Sequence, residues 1–151
     1  MANVSPPERR DMTRADGQAG IVGTPSGDSP GPGPQIMAAS TLEDDSVVNR
    51  QGEDLGKIKE IMIDVPSGKV AYAVLSSGGF LGMGDKLFAI PWSALTLDID
   101  RKCFVLDVAV ERLKKAPGFD KDHWPGMADA AWASEVHAYY GQRNYWQSDR
   151  M

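Results

Sequence analysis

Few residues in this chain have the type and spacing that chemistry requires. Its two histidines, His123 and His137, come first, because imidazoles with carboxylates nearby (Asp120, Asp122) are what a zinc site uses. They stand in separate segments, with neither a His-Glu-x-x-His pair nor a cysteine partner, so no metal is expected. The single cysteine, Cys103, cannot form an intramolecular disulfide, which fits a reducing compartment. Arg101 and Lys102 precede it, but a reactive thiol wants a cationic, partly exposed setting. Neighbours along a strand point to opposite faces, so Cys103 reads as a small core residue. Asp98 and Asp100 sit in a polar turn with too few oxygens for calcium. The glycine-rich run Ser77 to Asp85 suggests a phosphate cradle. It lacks a Gly-Lys-Ser/Thr ending and leads into a strand rather than a helix N-terminus. No nucleophile, base and orienting group can be named together, so neither an enzyme nor a cofactor is expected.

The elements that hold these residues are mostly strands. Val47-Val48 reads as a short first strand and Leu55 to Val65 as a long second one. Along the second, Ile58 is out of phase with Ile61, Ile63 and Val65. One extra residue near Lys59-Glu60, a β-bulge, brings all four to the core face and bends the strand. Val65-Pro66-Ser67-Gly68 matches a type I turn, with Pro66 pre-set for the second position and Gly68 supplying a positive φ. The third strand, Lys69 to Ser76, alternates Val70, Tyr72 and Val74 with Ala71, Ala73 and Leu75. Both faces are apolar or small, so both are expected to be covered. In the glycine-rich loop, Gly78 and Gly79 permit the turn, while Phe80, Leu81 and Met83 close one mouth of the core or meet a partner. Lys86 to Ile90 is the fourth strand, ended by Pro91, and Trp92 is expected to plug the core. Leu95 to Leu97 and Cys103 to Leu106 are the fifth and sixth.

Outside the strands the pattern changes. Residues 1–37 are expected to form a disordered tail, since Ser26 to Pro34 is a Pro/Gly/Ser linker and Ile21-Val22 is the only apolar pair before it. Ser40/Glu43 or Thr41/Asp44 has capping-box spacing. Ala109 to Ala116 is a short helix that Asp107 could cap and Pro117 ends. A last helix, Met127 to Tyr140, carries Ala128, Trp132, Val136, Tyr139 and Tyr140 on one face, with Gly141 as its stop. That face either packs on the strands or meets another subunit.

Composition bounds the partners. The apolar fraction of 42% and charged fraction of 25% are those of a globular protein. A net charge of −5 argues against nucleic acid, which needs a positive field; Arg112 with Lys114-Lys115 reads as a solvated helix face. No apolar run is long enough to span a membrane or to serve as a secretory leader, so a cytoplasmic location is expected.

Several blocks in order resemble a known family. Gly52-Glu53-Asp54-Leu55-Gly56-Lys57-Ile58 is similar to the opening hairpin of PRC-barrel domains, and Gly68 to Leu75 to their central strand. Gly78 to Lys86 followed by Phe88-Ala89-Ile90-Pro91-Trp92 resembles their loop and fourth strand. The similar run extends from Val48 to about Pro125. The family includes the cytoplasmic part of the photosynthetic reaction-centre H subunit, the C-terminal domain of a ribosome-maturation factor, and many stand-alone bacterial members. This chain lacks the transmembrane helix of the first and the preceding domain of the second, so it looks like the stand-alone kind. The resemblance implies a mainly β fold, a small six-stranded barrel that binds protein partners, commonly itself, without chemistry.

The expected organisation is therefore a tail (1–37), a barrel domain (38–116) and a C-terminal helical extension (117–151). The expected function is a protein-interaction or assembly module, a homodimer. Its surface would come from Phe80, Leu81 and Met83, the outer face of the third strand, and the helix carrying Trp132, Val136, Tyr139 and Tyr140. Gly52, Gly56, Pro66, Gly68, Gly78, Gly79, Pro91 and Trp92 are assigned structural roles. The alternatives are a barrel that holds a small molecule or cofactor between strands and helix, and an accessory factor in ribosome or RNA maturation.

Overall fold

The computed structural model describes residues 10–11 (backbone alone), 18–24, 35–77 and 86–147. The predicted six strands are all present: β3 (Ser46–Val48), β4 (Asp54–Asp64), β5 (Lys69–Ser76), β6 (Leu87–Pro91), β7 (Leu95–Asp98) and β8 (Cys103–Leu106). Two more precede them, β1 (Arg10–Asp11) and β2 (Gly20–Gly23). Together they form one mixed sheet in the order β1-β2-β7-β8-β3-β4-β5-β6.

Local pairing builds the antiparallel part. β4 and β5 are a long hairpin, with Met62 opposite Tyr72 and Ile61 opposite Ala73. The turn between them lies where the sequence predicts and Gly68 has the expected positive φ of 75°, but its N–H donates to the Asp64 carbonyl at 2.8 Å, so the turn closes over one residue more than a type I turn on Val65–Gly68. The register slips between Ile58 and Glu60, which is the expected bulge, and again between Met62 and Ile63. Gly56, with φ 134°, lies so close to β5 that a Cβ there would stand 2.2 Å from the Ser76 carbonyl oxygen. β7 and β8 form a second hairpin. The Asp98 carboxylate accepts from the N–H groups of Asp100 and Arg101 at 3.2 and 3.1 Å, so these aspartates shape a turn.

Parallel pairings join the pieces, and they correct two expectations. β3 lies parallel to β8, and β2 lies parallel to β7, with Ile21 opposite Leu97. Residues 20–23 of the predicted disordered tail are thus a strand of the sheet, which reaches upstream of residue 38. The six-stranded closed barrel is also corrected: no strand among the described residues pairs β6 with β7 or β1. The reason is local. β6 ends at Pro91, which has no N–H to donate. The chain then turns through a 3-10 turn, Trp92–Ala94, into β7, whose two sides are taken by β2 and β8. The sheet curls around its core without closing.

That core draws on every strand from β3 to β8. Val47, Leu55, Ile58, Leu75, Phe88, Ile90, Leu95 and Phe104 are all 1% exposed or less. Trp92 packs partly buried against it, edge-on to Phe104 with ring centroids 5.8 Å apart. Cys103 is buried, as expected of a core residue. Ile63 and Val65 depart from expectation: they are 53% and 84% exposed. β6 covers β5 only from Tyr72 to Ser76, so the end of the β4–β5 hairpin projects past its neighbour.

The helices are short. α1 (Ala39–Leu42) starts after Ala38 and has no side-chain cap; Ser40 and Thr41 lie inside its single turn, so neither capping box forms. α2 (Val110–Lys114) starts after Ala109, likewise without a side-chain cap, while Asp107 pairs with Arg50 at 3.5 Å. α3 (Ala130–Tyr139) begins later than predicted because Asp129 caps it, accepting from the Ala131 N–H at 2.9 Å. It stops where predicted. Gly141 has φ 69°, its N–H donates to the Ala138 carbonyl, and the Gln142 N–H donates back to His137, the two bonds of a Schellman close.

Candidate functional site

α3 lies on the outer face of β5 and β6, and the contact is built on small residues. Ala71 and Ala89 on the strands face Ala133 and Val136 on the helix, which lets the two elements approach closely. Both faces of β5 are therefore covered, as its alternation predicted. Tyr72, 1% exposed, stands at the centre. The rings of Trp132 and His137 lie edge-on to it, each with its centroid at 5.4 Å.

A 3-10 turn, Tyr145–Gln147, folds back over this contact. The Tyr145 ring is 6.2 Å from Tyr72 and 5.9 Å from His137, and Trp146 is 5.8 Å from His137. The Tyr145 hydroxyl donates to the Asp64 carboxylate at 2.5 Å, which ties this strap to the end of β4. The bond holds the Asp64 carboxyl below its ordinary range. Burial, with the Asp64 bond second, pushes the Tyr145 phenol up to about 12.

Two polar atoms inside this aromatic box have no partner, the Tyr72 hydroxyl and Nε2 of His137. An unmade bond at a buried polar atom costs about 1–3 kcal/mol. His137 Nδ1 stands 2.7 Å from the Ala133 carbonyl oxygen. An oxygen of that kind only accepts, so Nδ1 carries the hydrogen and Nε2 is left with a bare lone pair. Burial lowers the His137 pKa, against the smaller opposing effect of the Ala133 bond; burial also raises that of Tyr72.

A second feature is a cleft of about 340 Å³ between the β8–α2 connection and the end of α3. Arg112 of α2 donates to the Tyr139 carbonyl at 2.6 Å and lies 4.2 Å over the Tyr139 ring. The Tyr139 hydroxyl returns a bond to the Arg112 carbonyl. This reciprocal clasp puts a cation at the C-terminus of α3, where the helix dipole favours one. Asp107, Tyr140 and Gln142 also line the cleft, and the Tyr140 hydroxyl is buried without a partner.

The residues assigned to one contact surface are thus divided. Trp132 and Val136 turn onto the chain's own sheet, and Tyr139 and Tyr140 border the cleft. Phe80, Leu81 and Met83, with Gly78 and Gly79, lie outside the described residues. Gly52 and Gly68 take positive φ, Pro66 lies in the β4–β5 turn, and Pro91 ends β6. His123 is exposed, 3.6 Å from Asp120 and remote in role from His137. Among the described residues no group of three His, Cys, Asp or Glu side chains could hold a metal ion. No helix among them is long and apolar enough to cross a membrane. The strap escaped sequence reasoning; its one signal was the adjacent pair Tyr145-Trp146, shortly after the glycine that stops α3.

No curated protein matches the chain. A family model, that of the PRC-barrel domain, matches residues 34–113. The match begins upstream of β3, covers β3 to β8, and ends within α2. Over that span the chain is mainly β around one core, and it belongs to the PRC-barrel domain family.

Proposed function

We propose that this protein is a non-catalytic interaction and assembly module that associates with a second copy of itself. The observation that carries the reading is the projecting end of the β4–β5 hairpin. Ile63 near the end of β4 and Val65 at the start of the turn stand 53% and 84% exposed there, whereas the other apolar residues of β4 are buried or half-buried. Large apolar side chains left in water on a sheet are a feature of contact surfaces. Phe80, Leu81 and Met83 would supply further apolar contacts, and Trp132, Val136, Tyr139 and Tyr140 would support the surface by fixing α3. A cytoplasmic setting suits the reading, with Cys103 kept as a buried thiol. Light scattering at high micromolar concentration tests it: a dimer is expected, and Ile63→Asp with Val65→Asp should give a monomer of unchanged fold. A wild-type monomer at that concentration overturns the reading.

The second reading, a small-molecule site between barrel and helix, draws on the cleft beside Arg112 and the unpartnered Tyr140 hydroxyl. A bound mass retained in native mass spectrometry, and lost in Tyr140→Phe, would favour it.

A further inference from the structure

The box around His137 is built so that a proton and the closed structure exclude each other. The imidazole is 1% exposed and its Nδ1–H is already committed to Ala133. Protonation would turn Nε2 from a bare lone pair into a charged donor, and that atom has no partner. Among the described residues no compensating charge touches the ring. From β5 it meets Tyr72, whose hydroxyl is outside hydrogen-bond reach. From the strap it meets Tyr145 and Trp146, and the Asp64 carboxylate of β4 is bonded to the Tyr145 hydroxyl rather than to the imidazole. β6, which also packs against α3, carries no titratable side chain. On α3 itself Glu135 is exposed, and Arg143 lies in the turn between α3 and the strap. An imidazolium can be solvated here only if a cover moves.

We propose that His137 is a proton-operated latch: acidification below neutrality lifts the Tyr145–Gln147 strap and the end of α3 from β5 and uncovers Tyr72. The strap is the cover that can move, because it is a single turn, tied to the fold through the Tyr145–Asp64 bond, ring contacts and, at the residue before it, the Asn144 side-chain bond to Ser134 at 3.3 Å. Asp64 is not the trigger in mild acid, since its carboxyl is held below its ordinary range. The histidine is therefore the group that answers first as pH falls. The sign follows from linkage. A histidine whose closed-state affinity for protons is depressed stabilises the closed form fully above its ordinary pKa of about 6.5. That stabilisation is lost as pH falls from there toward the closed-state value. The latch stands independently of self-association, because every group in it belongs to one chain.

The test is hydrogen exchange on the full-length protein from pH 7.5 to 5.5, corrected for intrinsic rates, alongside NMR titration of the His137 imidazole. Protection at residues 140–147 is expected to fall about tenfold by pH 5.5, while the β4–β5 hairpin stays protected. In His137→Gln the same residues should show no such pH dependence. An equal fall in wild type and His137→Gln overturns the proposal, as does wild-type protection that does not change with pH. Should the variant fail to fold, the wild-type profile decides alone: imidazole titration of His137 with the strap still protected also overturns it.

Discussion

The hydroxyl of Tyr145 donates to the carboxylate of Asp64 across 81 positions of sequence, joining the strap to the tip of the longest hairpin. Without that bond the strap loses a tie to β4, while its ring contacts and the neighbouring Asn144–Ser134 bond remain. Tyr145→Phe should therefore speed amide exchange at residues 143–147 while leaving the circular dichroism of the sheet unchanged. The Asp64 carboxyl is depressed by this bond, so its contribution to the fold is present above its ordinary pKa near 3.8 and is lost as pH falls through the depressed value. Wild type and Tyr145→Phe should differ in melting temperature at pH 6 and converge near pH 2. A constant difference across that range would assign the effect to packing instead.

Gly56 and Gly52 both take positive φ, but they are not equivalent. A Cβ at Gly56 meets the Ser76 carbonyl at 2.2 Å, whereas one at Gly52 meets nothing within 4 Å. Gly52→Ala should cost about 1 kcal/mol, the cost of a left-handed backbone for an L residue. Gly56→Ala must also separate β4 from β5, which places it on the order of 3 kcal/mol or more. Urea unfolding of the two variants compares them directly.

Arg112 closes α2 onto α3 through Tyr139. Arg112→Ala removes a charge-assisted bond at a helix C-terminus and a cation–π contact, and should cost about 1–2 kcal/mol. Lysine lacks the planar fork, so Arg112→Lys should recover only part of it. A double-mutant cycle with Tyr139→Phe measures the coupling between the two side chains.

Ile63 and Val65 offer the opposite case to Leu113, which is fully buried in the core. Leu113→Ala should destabilise by about 2–5 kcal/mol. Ile63→Thr or Val65→Thr should leave the unfolding free energy of the monomer within about 0.5 kcal/mol of wild type. Loss of stability in the threonine variants at low protein concentration would mean that something in the same chain covers the hairpin tip.

What the sequence disclosed about the fold was local. The β4–β5 turn was legible because Pro66 and Gly68 each have one backbone role there, and the bulge because Ile58 broke the alternation. β2 was not legible: Ile21-Val22 is a short apolar pair between glycines, and its partner Leu97 lies far along the chain. Open versus closed was hidden for the same reason, since it depends on what β7 pairs with. Ile63 and Val65 carried the right alternation for core residues, but no pattern within β4 reports how far β6 extends beside β5. For the site, the helix face of Trp132 and Val136 was readable as apolar spacing. That Tyr72, His137 and Tyr145 converge was not, because they come from separate elements brought together only by α3 docking.

The parallel union of β3 with β8 sets an order of events during synthesis. Ser46 leaves the ribosome long before Cys103, its neighbour in the finished sheet. In the interval the β4–β5 hairpin can assemble from contiguous chain, while one flank of β3 stays open to any strand that arrives early. Crowded nascent copies could then exchange that strand, so the yield of correctly assembled protein should rise when translation is slowed or expression is kept low.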